Sequence, residues 1–366
     1  MMQLTPLDPS RLSPAAQRAL GPGPGRTMAA RGLLPLAPAD QVAVLYQLSL
    51  DAESSLALSA RATAAGLPEK LLAGTLTAPS TDPRILDFFA QLIADKPAVF
   101  DAIALNPSVA DQTIATLAAR AASREVDLIA QNEQRLLRHP EIIAAMYLNR
   151  RARMSTIDRV VELAVRNSVR VPGLAAWDEV ARALTGSPPA SPEADAMFAA
   201  MAQAARDDSV LTTGDAEQAL PEDEAPVTPP ETEDETERKL TIPMKIRLAT
   251  LGDAFERARR IRDPARMVAM AAIKAPGVTD IEAARYAGNQ ALAEDVIRYI
   301  AGNRNWTKLY GVKVSLCRNP KAPISETTRF LPFLRQKDLV NLSKSKGVPS
   351  ALTAQARKLV MQRSGK

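Results

Sequence analysis

The chain is poor in the residues that carry most protein chemistry. Among 366 residues there is one cysteine, one histidine and 4% aromatics. A lone Cys317 excludes an intramolecular disulfide and any cysteine-cluster metal site. It lies in an apolar helical run with Val312, Val314 and Leu316, which reads as a buried structural thiol. Any Ser-His-Asp or Cys-His arrangement would have to use His139. That residue precedes Pro140 at an expected helix start, where a cap or corner role suits it. The sequence has no HExxH, no Walker A, no GxGxxG after a strand and no acidic EF-type loop. GPGPG at Gly21 to Gly25 cannot cradle a phosphate, because proline lacks the N–H groups required. Glu294-Asp295 is explained by placement in a first helical turn, where the macrodipole favours acids. These absences lead us to expect a non-enzyme with no catalytic residues, no cofactor and no metal. No stretch approaches the ~18–20 apolar residues of a membrane span, and the first residues lack a signal-peptide pattern. A cytoplasmic protein without membrane insertion is therefore expected.

Apolar residues nevertheless make up 46%, carried by Ala, Leu, Val and Ile. Ala-rich, aromatic-poor sequence suits close helix packing rather than sheets, and no long period-2 run occurs. The 28 prolines cluster at breaks between helical segments, where they pre-set a first helical turn. Length alone favours about two domains. Charge divides the chain the same way. From Arg238 onward there are 26 Lys and Arg against 9 Asp and Glu; residues 206–237 hold 12 acids and one arginine. The first 205 residues are balanced, 19 basic against 20 acidic.

The expected organisation is a flexible leader at 1–38, a helical-repeat module at 39–205, a disordered acidic linker at 206–240 and a basic helical-repeat module at 241–366. Val42, Leu45 and Leu48 set the helical period of the first module. Asp82 before Pro83, Asn106-Pro107 and His139-Pro140 mark helix boundaries; Ser155 to Asp158 opens a further helix. In the second module Thr241, Asp263-Pro264 and Thr279-Asp280 mark further starts. The stretch from Ile300 to Ala351 shows the grammar most plainly. It reads as a helix carrying Trp306 and Tyr310, a corner at Asn319-Pro320, a second helix ending near Leu334, a third around Leu339 and a corner at Gly347 to Pro349. Pro276 and Pro320 are 44 residues apart, within the range of two-helix repeats, and Pro107 has a similar surrounding.

NRNWTKLY, KVSLCRNPKAP and FLPFLRQKDLVNLSKSKGVPSALTAQARKL, within Pro243 to Lys358, resemble bacterial HEAT-like or leucine-rich-repeat-variant helical-repeat proteins of unassigned function. Asn132 to Asn167 is similar to the N-terminal part of the same group. The resemblance covers about half of the chain. It implies an all-α, HEAT-like α-solenoid used for binding, and supplies no activity.

The basic run is the main functional clue. Arg257, Arg259, Arg260, Arg262 and Arg266 crowd two turns and the following cap, and Arg304, Trp306, Lys308, Tyr310 and Lys313 continue the cluster. Set on one surface, these ten residues would form a partner-binding stripe. The expected function is a scaffold or adaptor that binds a protein partner, an acidic one by charge. The alternative is nucleic-acid binding through the basic module, and a HEAT-like DNA glycosylase comes third. The competing account is a solvated basic face, or one covered in cis by the acidic linker.

Overall fold

The computed structural model describes residues 4–93, 95–185, 190–204, 237 and 239–364. Among these residues it contains α-helices, short 3-10 turns and no strand. The chain divides into two compact units, Met1–Gly173 and Leu174–Lys366.

The first unit holds α1 (Pro14–Leu20), α2 (Pro24–Ala30), α3 (Pro38–Leu48), α4 (Ser54–Gly66), α5 (Glu69–Leu76), α6 (Pro83–Ile93), α7 (Pro97–Leu105), α8 (Asp111–Ala118), α9 (Ser123–Ile129), α10 (Glu133–Arg138), α11 (Glu141–Leu148) and α12 (Met154–Arg166). Proline opens α1, α2, α3, α6 and α7, where its missing N–H costs nothing. The Asp82 carboxylate accepts from the Arg84 N–H at 2.9 Å, capping α6 as expected. Packing alternates: α3 lies on α5, α5 on α7 and α7 on α9, while α4 lies on α6, α6 on α8 and α8 on α11. The core is aliphatic, with one aromatic knot in which Phe88 meets Tyr46 and Phe89 edge-on at 5.6 and 5.0 Å.

The segment read as a flexible leader is an ordered part of this unit. Ser13 caps α1, and α1 and α2 pack on α3 and α4 through the small buried residues Ala16, Ala19, Ala29 and Ala30. The Tyr46 hydroxyl donates to the Thr5 carbonyl at 2.7 Å, and the Leu7 N–H donates to Gln47 Oε1 at 2.8 Å. Proline and alanine, which read as loop composition, here supply pre-set first turns and close approach.

The second unit holds α13 (Trp177–Leu184), α14 (Pro192–Ala204), α15 (Ile242–Leu251), α16 (Ala254–Arg260), α17 (Arg266–Ile273), α18 (Asp280–Gly288), α19 (Glu294–Gly302), α20 (Tyr310–Arg318), α21 (Ile324–Phe330), α22 (Gln336–Lys344) and α23 (Ser350–Ser364). The same alternation runs through it. α15 lies on α17, α17 on α19, α19 on α21 and α21 on α23, while α18 lies on α20 and α20 on α22. α13 packs on α15 and α17, and α14 on α15. Helices expected to close the first module thus belong to the second unit, because their apolar residues Trp177, Val180 and Phe198 are buried there. The expected linker at 206–240 lies outside the described residues except for Glu237, Lys239 and Leu240.

Side-chain ties between helix ends repeat along the first unit and recur at Asn319 in the second. Asn106 follows α7 and donates through Nδ2 to the carbonyls of Leu76 and Ala78 at 2.6 and 3.0 Å. Asn149 follows α11 and donates to Ala118 and Ala121, both at 2.8 Å. Asn319 follows α20 and donates to Ala287 and Asn289 at 2.9 and 3.3 Å. Each Asn Oδ1 also accepts the N–H two residues on, at 2.8, 2.9 and 3.0 Å. Arg135 makes the equivalent reach to the carbonyls of Ala104 and Asn106. These ties span 28 to 32 residues. Pro276 follows α17 while Pro320 follows α20, so the 44-residue proline spacing does not join equivalent corners.

Replacing Asn149 by Ala leaves buried carbonyls of the preceding helix end without a donor. It should lower unfolding free energy by about 2–3 kcal/mol, since each such group costs ~1–3 kcal/mol. Asn167→Ala, at the exposed end of α12, should cost under ~1 kcal/mol for loss of its single bond to Leu163. Urea denaturation of the three proteins side by side tests this, and equal midpoints for both variants would refute it.

Candidate functional site

The ten residues expected to form one basic stripe separate into different environments. Arg257 and Arg260 are each 1% exposed, and with Arg247 they are among the largest fully buried side chains. The expectation that they contact a partner is therefore corrected. α16 is short, and its i, i+3 pair Arg257 and Arg260 faces inward rather than to solvent. Arg257 pairs bidentately with Glu282, Nε and Nη2 each 3.0 Å from a carboxylate oxygen, and its Nη1 donates to the Gly252 carbonyl at 2.8 Å. Glu282 is the third residue of a capping box opened by Thr279, so one carboxylate caps α18 and neutralises a guanidinium of α16. Gly252 is needed here for space, since a Cβ would sit 2.6 Å from Glu256 Cβ. Arg260 is held by Glu256 at 2.6 Å and by Glu237. Glu237 also lies 3.1 Å from Arg259 and 3.4 Å from Lys245.

Burial alone would raise the pKa values of Glu282 and Glu237. Hydrogen bonds and charge from Arg257 and Thr279 in one case, and from Arg260, Arg259 and Lys245 in the other, outweigh it and hold both carboxyls below the ordinary value. Burial also pushes the Cys317 thiol up to about 12, in keeping with a structural role.

The remaining candidates are dispersed over the second unit, and Trp306 among them is buried. Arg262 and Arg304 are exposed. Trp306 and Tyr310 do not share a helix. Trp306 begins a 3-10 turn, Leu309 is extended, and Tyr310 starts α20. Trp306 is buried and meets the Tyr299 ring edge-on at 6.1 Å. Lys308, Tyr310 and Lys313 gather at the start of α20 with Phe333 and Arg335, neither of which stood among the candidates.

Arg266 lines a cleft of the unit, an open space of about 530 Å³ bounded by α13, α17 and α19. Met267, Met270 and Tyr299 give it apolar contact area, and Arg182, Arg266 and Arg298 edge it. Trp306 props Tyr299 from the side. Two carboxylates at the cleft are already occupied: both oxygens of Glu179 accept from Lys274 Nζ at 2.9 and 3.0 Å, and Asp295 pairs with Arg266. Lys274 also sits 5.8 Å from the Tyr299 ring centroid. Arg182 and Arg298 are exposed, and Arg298 is paired with Glu294 one turn away. Met267 and Met270 are half-buried, so the face of α17 that bears them stays partly open. No described helix is long and apolar enough to cross a membrane.

Comparison with protein-family models, curated proteins and solved structures returns no significant match.

Glu282→Gln should destabilise the second unit by about 3–5 kcal/mol, because it leaves Arg257 charged and buried without its counter-ion. Phe255→Ala, at a side chain 64% exposed, should cost under ~0.5 kcal/mol. Both carboxyls are lowered in the native state, so their stabilisation is complete above the ordinary value of 4.5 and is lost as pH falls through the native values. Helical circular dichroism during guanidinium unfolding, repeated from pH 7 to about pH 3, should show that loss. A Glu282→Gln protein with unchanged stability and the same acid profile would contradict this account.

Proposed function

We propose that the chain is a non-enzymatic, cytoplasmic scaffold with a HEAT-like α-solenoid build, resembling leucine-rich-repeat-variant proteins. It takes a protein segment in the cleft between α13, α17 and α19. Alternating helix contacts and side-chain ties spanning 28 to 32 residues support the repeat reading. The observation that carries the function is the cleft itself: apolar contact from Met267, Met270 and Tyr299, arginines at its edge, and carboxylates consumed by Lys274 and Arg266. Methionine fills irregular apolar contacts well and suits a surface that receives a side chain from a partner. Arginine at an interface edge favours carboxylates through bidentate bonds. The partner this chemistry fits is an acidic segment with a central apolar side chain. The glycosylase reading loses support, because Trp177 and Trp306 are both buried and neither presents an open ring for a base.

Selection of a random peptide library on the whole chain, followed by fluorescence anisotropy with chosen peptides, tests this reading. Enriched sequences should carry an apolar residue flanked by Asp or Glu. Their affinity should fall tenfold or more in the double variant Arg182→Glu, Arg298→Glu, about 1.4 kcal/mol or more, and stay unchanged in Lys346→Glu. No enrichment, enrichment of basic peptides, or binding indifferent to the double variant would reject it.

A further inference from the structure

A second surface of the same unit, built from residues that do not line the cleft, combines cations with an open aromatic ring. Phe333 is 66% exposed. It ends the 3-10 turn Leu331–Phe333, and Arg363 of α23 holds that turn in place by donating to the carbonyls of Leu334 at 2.7 Å and Pro332 at 2.5 Å. The Lys313 ammonium lies 5.3 Å from the Phe333 ring centroid and donates to the Lys308 carbonyl at 3.1 Å. Beside it the Arg335 guanidinium lies 4.5 Å from the Tyr310 ring centroid. The Tyr310 hydroxyl accepts from the Arg335 N–H at 2.9 Å and donates to Asp338 at 2.5 Å, and Arg318 takes the other Asp338 oxygen at 3.1 Å. The carboxylate in this corner is therefore already engaged, while Lys308, Arg335 and Lys337 are exposed.

We propose that this corner is a stacking platform for single-stranded nucleic acid. A base laid on the open face of Phe333 would place its neighbouring phosphates among Lys308, Lys313 and Arg335. Sequence-tolerant single-strand binding needs this combination, because every base has a π-face and every nucleotide a charge. An acidic peptide would use the cations and leave the ring exposed. A duplex keeps its bases stacked on one another, out of reach of a ring held on a short turn.

Anisotropy of the full chain with labelled oligo-dT and oligo-U of about 12 nucleotides, within the usual site sizes, reads this out. Binding should weaken with salt with a slope near −2, about −0.7 for each of three phosphate contacts. Phe333→Ala should weaken it by roughly 5- to 150-fold, the range for loss of one stacked base, and Phe333→Trp should restore it. Lys313→Gln with Arg335→Gln should cut the slope by about 1.4. The proposal fails if no binding appears at ~50 mM salt. It also fails if binding is indifferent to Phe333→Ala, if duplex DNA binds as tightly, or if polyglutamate of equal length competes as well as the oligonucleotide. None of these outcomes touches the cleft, whose arginines stay intact in every variant.

Discussion

The constraint on which the structure depends is the fate of helix C-terminal carbonyls. The helices are short, many of them of 7 to 9 residues. The last four carbonyls of any helix lack intrahelical donors, so in such helices unsatisfied ends make up a large share of the backbone. Where ends meet solvent, water serves them. Where a following helix packs over them, a side chain must. Asn106, Asn149 and Asn319 each do this with one amide: Nδ2 bonds two carbonyls of an earlier helix end, and Oδ1 fixes the turn that launches the next helix. Folding the local turn and docking it on its neighbour are thus one event.

The same logic explains the burial of Arg257. A guanidinium taken out of water is tolerated when its donors are spent on fixed acceptors. Arg257 meets that condition with both Glu282 oxygens and the Gly252 carbonyl, and so joins α16 to the start of α18 and the end of α15. Lysine could not match the fork geometry at three acceptors. Two of the five arginines in the densest basic run of the sequence are consequently interior structure.

All-α architecture was legible in the sequence because Ala-rich periodic segments bounded by proline have few other uses. Asp82 and Thr279 were legible as caps because their spacing to the next helix is local. The asparagine ties were only half visible. Pro107 and Pro320 drew attention to their corners, but the side chain that matters is the asparagine before each proline. Asn149 makes the same tie with Arg150 in that place. Charge counting failed at Arg257 and Arg260, since composition does not separate a paired guanidinium from a solvated one. The missing signal was Glu282, 25 residues on, whose capping box explains its backbone role and hides its second one. Phe333 and Arg335 were missed because their neighbours Lys313 and Tyr310 come from a different helix.

The two surfaces differ in how much of their charge is already spent, and this decides what each can recognise. At the cleft, Lys274 and Arg266 are bound to Glu179 and Asp295, so a ligand gains mainly from apolar contact with Met267, Met270 and Tyr299. Charge there acts at the edge, where exposed pairs are worth ~1 kcal/mol or less. At the start of α20 the balance is reversed. Asp338 is shared between Tyr310 and Arg318, and exposed cations remain around one ring. Counterion release would make a large part of affinity at such a place salt-dependent, whereas in the cleft salt would screen only the contribution of the edge. Salt response therefore separates the two surfaces in the intact chain, before any residue is changed.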